Sequence, residues 1–403
     1  MPKVLQINST VNKGSAGRIA EQIGVIAQEN GWESFIAYGR NSNKSSSKNY
    51  RIGNTLDVLL HGAKSYLTDK HGLGSSAATK DLLKYIDNIN PNLIHLHGIH
   101  GYYINYEILF EYLAMKQIPV VWTMHDFWAI TGHCSYFSDI ECNKWQSTCN
   151  NCPKKTNYPK SLILDKSFEN FTLKKDLFNR VQKLVIVPVS YWVDSLFSKS
   201  FLSAYERRVI LNGVDTEKFR PIEENNIKKK FGIEDKFMLL GVATSWGVRK
   251  GWIDFMKLSS ELSDDYKIVM VGLTQRQKSM IPANIIGVTR TENIDELAKY
   301  YSAADVVLNL SSQETFGMTT VEGYSCGTPS IVYNCTASPE LVSNNTGFIV
   351  EKGNIKDLIV KINVIKNLGK SYYANECRIR ALTHYDKSKR FLEYINLYDD
   401  LIK

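Results

Sequence analysis

Residues 311–329 read "SSQETFGMTTVEGYSCGTP" and follow a short apolar run, "DVVLNLS" at 305–311. The apolar run predicts a buried strand, and "TFGMTTVEGYSCG" predicts a short helix that ends near Gly327. Glu314 then lies in the loop between them, and Glu322 lies about two turns inside the helix. Because ligands of parallel α/β sheets bind beyond the carboxyl ends of the strands, this unit is the first candidate site.

The same alternation of β-branched runs and helical patterns extends along all 403 residues and predicts parallel sheets with crossover helices. The predicted strands of the first half are "KVLQINS", "SFIAYG", "LIHLHG", "VVWTMHD" and "KLVIVPVS", and those of the second half are "FMLLGVAT", "KIVMVG", "NIIGVT", "DVVLNLS" and "SIVYN". The turn and proline of "VILNGVDTEKFRP" at 209–221 mark the joint. We therefore predict an α/β protein of two doubly wound, Rossmann-like domains, at 1–205 and 206–385. The segment 386–403 is predicted to be a helix that packs back on the first domain.

The composition is that of an ordinary globular protein, with 43% hydrophobic and 22% charged residues. The sequence has no signal-peptide pattern and no apolar run of membrane-spanning length, so we expect a cytoplasmic protein. The net charge of +8 would suit nucleic acid, anionic lipid or phosphorylated ligands, but the basic residues are scattered. A polar loop is expected at 40–49, "RNSNKSSSKN".

The two glutamates suggest a ligand that combines a phosphate with sugar hydroxyls. The backbone amides at the helix start near Phe316, Gly317 and Met318 suit phosphate oxygens. The carboxylates of Glu314 and Glu322 can each accept hydrogen bonds from paired hydroxyls, one on either side of that phosphate. The combination indicates a nucleotide sugar, whereas an isolated pair at this spacing would more often be two solvated glutamates.

This stretch occurs together with "NGVDTEKFRP", "VRKGW", "VMVG" and "CGTPSIVYNCTASPELV". As a set, in this order, they resemble the retaining, nucleotide-sugar-dependent glycosyltransferases of family 4, whose GT-B fold has two Rossmann-like domains facing a central cleft. The resemblance implies that Glu322 holds the donor ribose and that Glu314 lies beside the transferred sugar. It also implies that a basic pair neutralises the diphosphate. Lys250 matches the lysine of that pair, but Thr244 replaces its arginine, so Arg249 is the candidate replacement.

The resemblance implies a second part of the donor site in the first domain. "NKGSAGRIAEQIG" would be a glycine-rich loop facing the diphosphate, in which glycines allow close backbone approach. The expected donor-binding residues are thus Gly14, Gly17, Arg18, Arg249, Lys250, Glu314, Phe316, Gly317, Met318 and Glu322.

"WTMHDFW" places His125 and Asp126 at the end of a strand. A histidine there is either a satisfied structural residue or a group that places charge at the cleft. By the resemblance, His125 contacts the transferred sugar and acts in catalysis with Glu314 and Lys250. His97, His100 and Asp126 are acceptor-side candidates, although the histidines of "HLHGIH" are equally compatible with core packing.

The resemblance implies a front-face reaction in which the leaving phosphate helps to remove the acceptor proton. The protein then contributes positioning and electrostatic stabilisation of the diphosphate. No metal-binding carboxylate pair lies at the expected place, so we predict that transfer needs no metal cofactor.

Four cysteines, Cys134, Cys142, Cys149 and Cys152, crowd into "GHCSYFSDIECNKWQSTCNNCP" in a predicted insertion at about 132–160. Four thiolates suit a tetrahedral structural zinc, with free thiols and a redox pair as the alternatives. The insertion resembles a subgroup of colanic acid and other extracellular polysaccharide glycosyltransferases. That resemblance implies a glycan acceptor on a polyprenyl diphosphate in preference to a small metabolite. We expect the donor to be a UDP-sugar in preference to a GDP-sugar. Capsule, exopolysaccharide or O-antigen would be the product, made with peripheral contact to the inner membrane face.

Two other functions share some of these features. A sugar-nucleotide epimerase has the same fold and would release a free sugar isomer without an acceptor. A non-enzymatic nucleic-acid-binding protein would explain the positive charge, but aromatic and basic residues are not interleaved as on a stacking surface, and we expect no nucleic-acid partner.

Overall fold

A computed structural model describes all residues, 1–403, and divides the chain into two units. Unit 1 comprises Met1–Leu211 together with Phe391–Lys403, and unit 2 comprises Asn212–Arg390. The boundary lies six residues beyond the predicted 205/206, after the last apolar residues that follow the sheet of unit 1. No helix in either unit combines the length and the apolar content that crossing a membrane requires.

Unit 1 is a seven-stranded parallel sheet of order β3-β2-β1-β4-β5-β6-β7 with helices between its strands. Its strands are β1 (Lys3–Asn8), β2 (Glu33–Tyr38), β3 (Lys48–Arg51), β4 (Leu93–Leu96), β5 (Val120–Met124), β6 (Leu184–Pro188) and β7 (Glu206–Arg207). Its helices are α1 (Gly14–Glu29), α2 (Thr55–Thr68), α3 (Ser76–Ile89), α4 (Tyr106–Lys116), α5 (Ser167–Phe178), α6 (Tyr191–Phe197) and most of the last helix, α14 (Lys387–Leu401).

Unit 2 is a six-stranded parallel sheet of order β10-β9-β8-β11-β12-β13. Its strands are β8 (Phe237–Val242), β9 (Tyr266–Val271), β10 (Ile285–Val288), β11 (Val306–Asn309), β12 (Ser330–Tyr333) and β13 (Gly347–Val350). Its helices are α7 (Ile227–Phe231), α8 (Trp252–Glu261), α9 (Gln275–Lys278), α10 (Ile294–Ala303), α11 (Met318–Ser325), α12 (Ile355–Leu368) and α13 (Lys370–His384).

The two doubly wound sheets confirm the predicted fold class, and all ten predicted strands are present. Three edge strands were not predicted: β3, β7 and β13. β3 is a polar "KNYR" whose residues are mostly exposed, and it begins inside the loop predicted at 40–49. β7 has only two residues. Edge strands of this kind lack the continuous apolar run that marks a strand covered on both faces.

The sheet order determines which loops meet. In unit 1, β1 pairs with both β2 and β4, and β4 also pairs with β5. In unit 2, β8 pairs with both β9 and β11. Because all strands run parallel, the loops that follow β1, β4 and β5 emerge at one edge of their sheet, and those that follow β8 and β11 emerge at one edge of theirs.

The last helix belongs to the core of unit 1. Phe391, Tyr394 and Tyr398 are fully buried in a cluster with residues of α1, β1, β4 and β6. The Tyr398 hydroxyl lies 2.5 Å from Nδ1 of His95, and Nε2 of His95 lies 2.7 Å from the Thr123 hydroxyl. His95 is therefore a satisfied core residue that ties α14 to the centre of the sheet.

We predict that Phe391→Ala lowers the free energy of unfolding by about 3–5 kcal/mol, because it leaves a cavity in this cluster. The adjacent Leu392 is 40% exposed on the same helix and provides the matched control. Leu392→Ala should change the free energy by about 0.5 kcal/mol or less. Urea unfolding followed by tryptophan fluorescence measures both values, and equal losses for the two variants would contradict the placement of α14 in the core.

Candidate functional site

In unit 2 the turn after β8 and the loop after β11 are joined by two hydrogen bonds, one between backbones and one from a side chain. Residues Val248–Lys250 form a single 3₁₀ turn before α8. The Ser312 amide donates to the Arg249 carbonyl at 2.9 Å, and Nη1 of Arg249 donates to the Gln313 carbonyl at 3.0 Å. The pairing of β8 with β11 thus brings "VRKG" and "SSQETFG" together, although more than 60 residues separate them in the chain.

Gly251 makes this approach feasible. Its φ of +77° lies in the left-handed region, and a Cβ atom there would lie 2.5 Å from the Leu310 carbonyl oxygen. Only glycine avoids both the strain and the collision. Packing against Leu310 therefore explains why "VRKGW" has a glycine at this position, which the sequence pattern alone does not show.

Lys250 and Glu314 form a largely buried ion pair. The Lys250 ammonium donates to Oε1 of Glu314, and the two side chains are 20% and 13% exposed. Burial alone would raise the pKa of Glu314, but Lys250 outweighs it, with help from Ser311 and Arg249, so this pKa is below its usual range. Glu314 is thus a carboxylate at neutral pH. A phosphate would compete with it for the three donors of the ammonium group.

The first turn of α11 has no side-chain cap. Gly317 caps the helix at φ +112° with no side-chain cap, so its first amides are not covered by a side chain of the capping residue. Phe316 is buried, and its ring packs edge-on against Tyr385 at 5.9 Å. Any contact of Phe316 or Gly317 with a ligand would therefore come from the main chain, and the side chain of Phe316 has a structural role.

Glu322 lies four residues into α11, about one turn from its start and not two, because the helix begins at Met318. The hydroxyl of Tyr301 donates to Oε2 of Glu322 at 2.6 Å. Tyr301 is itself buried and packs edge-on against Phe219. The bond orients one carboxylate oxygen from inside the unit.

Thr244, which stands where the basic pair would have its arginine, is exposed after β8. Arg249 lies closer to the ion pair, since its charge helps to lower the pKa of Glu314. Its donation to the Gln313 carbonyl holds the guanidinium beside the same loop. The structure therefore brings Arg249, Lys250 and Glu314 together.

In unit 1, His97, His100, His125 and Asp126 line one small pocket at the ends of β4 and β5. His95 lies outside it, in the core. Nε2 of His100 is 2.7 Å from Oδ2 of Asp126, and Nδ1 of His100 is 3.0 Å from the Tyr158 hydroxyl. Burial would raise the pKa of Asp126, but His100 and the Trp128 amide outweigh it and lower it. Asp126 is thus an anion in this pocket.

A chain of hydrogen bonds determines the proton positions on His97 and His125. Nε2 of Gln6 donates to the Ala20 carbonyl, which leaves Oε1 of Gln6 to accept from Nε2 of His97 at 3.0 Å. Burial lowers the pKa of His97, so Nδ1 of this neutral ring accepts from Nε2 of His125 at 3.1 Å. Burial also lowers the pKa of His125 to about 4, so His125 is neutral with its proton on Nε2.

His71 was not predicted from the sequence. It is buried among the rings of His100, Tyr102, Trp128 and Tyr158, and neither of its nitrogens has a hydrogen-bond partner. The sequence shows it only as a lone histidine in "DKHGLG", which has no motif to identify it. Its place beside His100 depends on a loop between α2 and α3 that returns to the edge of the sheet.

The two glycines of the glycine-rich loop in unit 1, Gly14 and Gly17, differ in their surroundings. Gly14 has φ +70° and nothing within 4 Å of a Cβ position, so it is open to the outside. A Cβ on Gly17 would lie 2.5 Å from the Thr10 hydroxyl, which shows that close packing already requires this glycine. Arg18 donates from Nε to the Gly14 carbonyl at 3.1 Å and so braces the start of α1.

The four clustered cysteines line one cavity, together with Phe137 and Trp145. All four are free thiols, and the Cys134 thiol donates a hydrogen bond to the Cys152 sulfur, which raises the pKa of Cys134 and lowers that of Cys152 to about 6. No group of three or more His, Cys, Asp or Glu residues is arranged to hold a metal ion, so the zinc site stays a prediction. The loop also has apolar packing of its own, since the buried rings of Phe137 and Trp145 stack at 5.1 Å.

Lys174 lies beneath this loop and was also missed. It is buried, and its ammonium donates to the carbonyls of Trp128 and Thr131 and lies 3.4 Å from the centre of the Trp128 ring. Burial lowers its pKa to about 7, against the opposing effects of Cys149, Cys134, Asp126 and Asp69. The sequence of α5 does not identify Lys174 as buried, because a single lysine on a helix is most often solvated.

The sequence of this chain is similar to those of several known proteins. Residues 223–377 match the family model for Glycosyl transferases group 1. The colanic acid biosynthesis glycosyl transferase WcaC of Escherichia coli K12 is 21% identical over 99% of this chain and 100% of its own length. The N,N'-diacetylbacillosaminyl-diphospho-undecaprenol alpha-1,3-N-acetylgalactosaminyltransferase of Campylobacter jejuni is 24% identical over 47% of this chain and 53% of its own.

Among solved structures, Anabaena HepE in complex with UDP and glucose superimposes with a TM-score of 0.69. It is 14% identical and covers 99% of this chain and 100% of its own, so the likeness concerns the fold. Sheet order, site loops and family model all agree with the fold predicted from the sequence. The chain has the two-domain GT-B fold, and its residues 223–377 are similar to the Glycosyl transferases group 1 family.

Proposed function

We propose that this glycosyltransferase moves a sugar from a nucleotide diphosphate sugar to a glycan acceptor, with retention at the transferred carbon. The observation that carries the proposal is that unit 2 holds the Lys250–Glu314 ion pair, the uncapped start of α11 and Glu322 on the first turns of the same helix. Cation, backbone donors and two carboxylates are the chemical partners that a diphosphate flanked by two sugars requires.

The donor roles follow from these contacts. Lys250 and Arg249 neutralise the diphosphate with the amides near Gly317 and Met318, and Gly14, Gly17 and Arg18 add the donor contacts of the glycine-rich loop. Glu322, oriented by Tyr301, accepts from the ribose hydroxyls. Glu314 accepts from hydroxyls of the transferred sugar once the phosphate draws Lys250 towards itself. Charge neutralisation by these groups makes a metal unnecessary for transfer.

In the proposed front-face reaction, the bond from the sugar carbon to the diphosphate oxygen breaks and the acceptor oxygen bonds on the same face. The leaving phosphate takes the acceptor proton, so atoms and charge balance without a protein nucleophile. His125 supports the positive charge that develops on the sugar, and its neutral state is what allows it to do so without repulsion. His97 is a positioning residue that directs the Nε2 proton of His125.

For the donor, we propose a UDP-sugar in preference to a GDP-sugar, a choice supported by the UDP bound to HepE. For the acceptor, we propose a glycan on a polyprenyl diphosphate, because the Campylobacter relative is named for a diphospho-undecaprenol substrate and WcaC for colanic acid biosynthesis. His97, His100 and Asp126 are the acceptor-side residues in this proposal. The process served is assembly of a bacterial surface polysaccharide at the cytoplasmic membrane face, with no nucleic-acid partner.

Titration calorimetry with UDP tests the donor site. Glu322→Gln should weaken UDP binding about tenfold to a hundredfold, because charge-assisted hydrogen bonds contribute about 1.5–3 kcal/mol each. Glu292→Gln, which changes an exposed glutamate of the same unit, should leave the affinity unchanged. Tyr301→Phe should cause a smaller loss than Glu322→Gln. If Glu322→Gln binds UDP as the wild type does, this carboxylate does not hold the ribose.

His125→Ala should reduce kcat while the affinity for UDP stays within about twofold, since its contact matters most when charge develops. A pKa of about 4 keeps the ring neutral above about pH 5, so the ratio of wild-type to variant kcat should be constant from about pH 6 upwards. The ratio should fall as pH falls through about 4, where the ring becomes charged. His384→Ala, an exposed histidine of unit 2, is the control. Unchanged turnover in His125→Ala would remove His125 from the reaction.

We further propose one structural zinc bound by Cys134, Cys142, Cys149 and Cys152, supported by the shared cavity and the hydrogen bond between Cys134 and Cys152. Elemental analysis of protein purified without a metal-affinity tag should find about one zinc per chain. Cys149→Ser should lower the zinc content and the stability, whereas Cys335→Ser, outside the loop, should change neither. Zinc-free, fully active protein would refute the site.

Brief chelator treatment should leave transfer intact, because the proposed donor site neutralises the diphosphate without a metal. An immediate need for added magnesium would refute metal-independent transfer.

A further inference from the structure

Helix α2 of unit 1 has its apolar side turned outwards. Leu56, Leu59, Leu60 and Leu67 are between 57% and 65% exposed. With the exposed Ala63 they are spaced three and four residues apart, so they form one continuous stripe along the helix. Single exposed leucines are common on protein surfaces, but a stripe of four on one helix is not.

The orientation of this stripe is determined by polar contacts on the opposite side of α2. His61 and Ser65 are buried, and Nε2 of His61 accepts from the Gly74 amide at 3.2 Å. Nδ1 of His61 therefore donates to the Ser75 hydroxyl at 3.0 Å, and burial lowers the pKa of this ring to about 4. The helix is also held at its start by a capping box between Asn54 and Asp57. Since the inward side is satisfied, the leucines are not needed by the core of unit 1.

A second exposed apolar segment lies against the end of α2. Leu162, Ile163 and Leu164 are all exposed, and the Leu162 amide donates to the Tyr66 carbonyl at 2.8 Å. We define the leucine face as the seven aliphatic residues of the helix and the loop: Leu56, Leu59, Leu60, Leu67, Leu162, Ile163 and Leu164.

Lysines surround this face without ion pairs. Lys64 donates to the Leu73 carbonyl at 2.7 Å, and Lys155 donates to the Ile163 carbonyl at 2.8 Å. The Lys160 ammonium lies 5.7 Å from the centre of the Tyr66 ring. None of the three meets a carboxylate, and the nearby Asp57 is engaged in the helix cap. The leucine face is therefore apolar in the middle and positively charged at its edge.

We propose that the leucine face is a docking surface for an anionic lipid bilayer. Aliphatic side chains would enter the acyl boundary while the lysines contact lipid phosphates, as on helices that lie in a membrane interface. A second copy of the chain fits less well, since joining two leucine faces would set lysines against lysines. Docking here leaves both sheets intact and needs no membrane-spanning segment.

The leucine face lies where it could hold the acceptor pocket near a membrane, a role that rests on the proposed function. The ring of His61, on the inner side of α2, contacts Tyr102, and Tyr102 contacts Tyr158. The Tyr158 hydroxyl bonds to His100 of the histidine pocket. Three side chains in contact, His61, Tyr102 and Tyr158, thus connect the inner side of α2 to His100, so docking through the outer side would hold the proposed acceptor pocket near the membrane surface.

Co-sedimentation of the full chain with phosphatidylcholine vesicles, with and without phosphatidylglycerol, tests the proposal. The wild type should bind the anionic vesicles, and added salt should weaken this binding. Leu59→Gln with Leu60→Gln should weaken it about tenfold or more, because binding scales with the apolar area buried. Met280→Gln with Ile379→Gln, two exposed apolar residues of unit 2, is the matched control and should bind as the wild type.

Vesicle co-sedimentation also tests the lysines at the edge of the leucine face. Lys155→Gln with Lys160→Gln should weaken binding to anionic vesicles, whereas Lys352→Gln with Lys356→Gln, exposed in unit 2, should not. Wild-type protein that does not bind the anionic vesicles, or leucine variants that bind them normally, would overturn the proposal. A wild-type dimer in solution that the leucine variants convert to monomer would assign the face to a second copy instead.

UDP affinity of every variant separates this inference from the proposed function. Normal UDP binding and normal transfer to detergent-dispersed acceptor, combined with failure of the wild type to bind vesicles, would reject the docking surface alone. Absence of UDP binding in the wild type would reject the proposed function and leave the vesicle result to stand by itself.

Discussion

The pairing of β8 with β11 is the constraint on which the candidate donor site depends. These strands are separated in sequence by β9 and β10, yet they are neighbours in the sheet because the chain reverses its direction of winding after β10. At such a reversal two loops diverge above the strand ends and leave their backbones accessible. Arg249 and Lys250 come from one loop and Glu314 from the other, so the ion pair exists only because these two strands are adjacent. In unit 1, the adjacency of β4 and β5 brings His97 and His125 together in the same way.

The two groups of polar residues differ in charge for a physical reason. In unit 2, Glu314 is buried but keeps its charge because Lys250 lies against it. In unit 1, burial lowers the pKa of His97 and His125, and for His125 it outweighs the opposing charge of Asp126. Asp126 instead pairs with His100 at the edge of the pocket. One group is therefore suited to hold a charged ligand, and the other presents neutral rings with defined proton positions.

Several features depart from the usual arrangement of polar outside and apolar inside. α2 buries a histidine and a serine and exposes its leucines, and Lys174 is buried without a carboxylate partner. The ring of His71 is buried, and neither of its nitrogens has a hydrogen-bond partner. Natural sequences depart from this arrangement mainly where function requires it. His71 and Lys174 both lie against the ring of Trp128, which lines the histidine pocket, and His61 of α2 contacts Tyr102, which also packs on His71. This grouping is a reason to look for the acceptor chemistry there.

The sequence by itself determined the fold class and most of the candidate site. Buried parallel strands leave continuous apolar runs, and site residues that follow such runs are visible as short motifs, as with "VRKGW" and "SSQETFG". What the sequence could not show was which side chains meet. The Lys250–Glu314 pair, the Tyr301–Glu322 bond and the Gln6–His97–His125 chain join residues distant in sequence, and no local pattern encodes such contacts. The tertiary structure alone decided that Phe316 is buried, that α11 begins at Met318 and that the leucines of α2 face outwards. Each depends on what packs against the element, because periodicity identifies two faces of a helix without saying which of them the rest of the chain will cover.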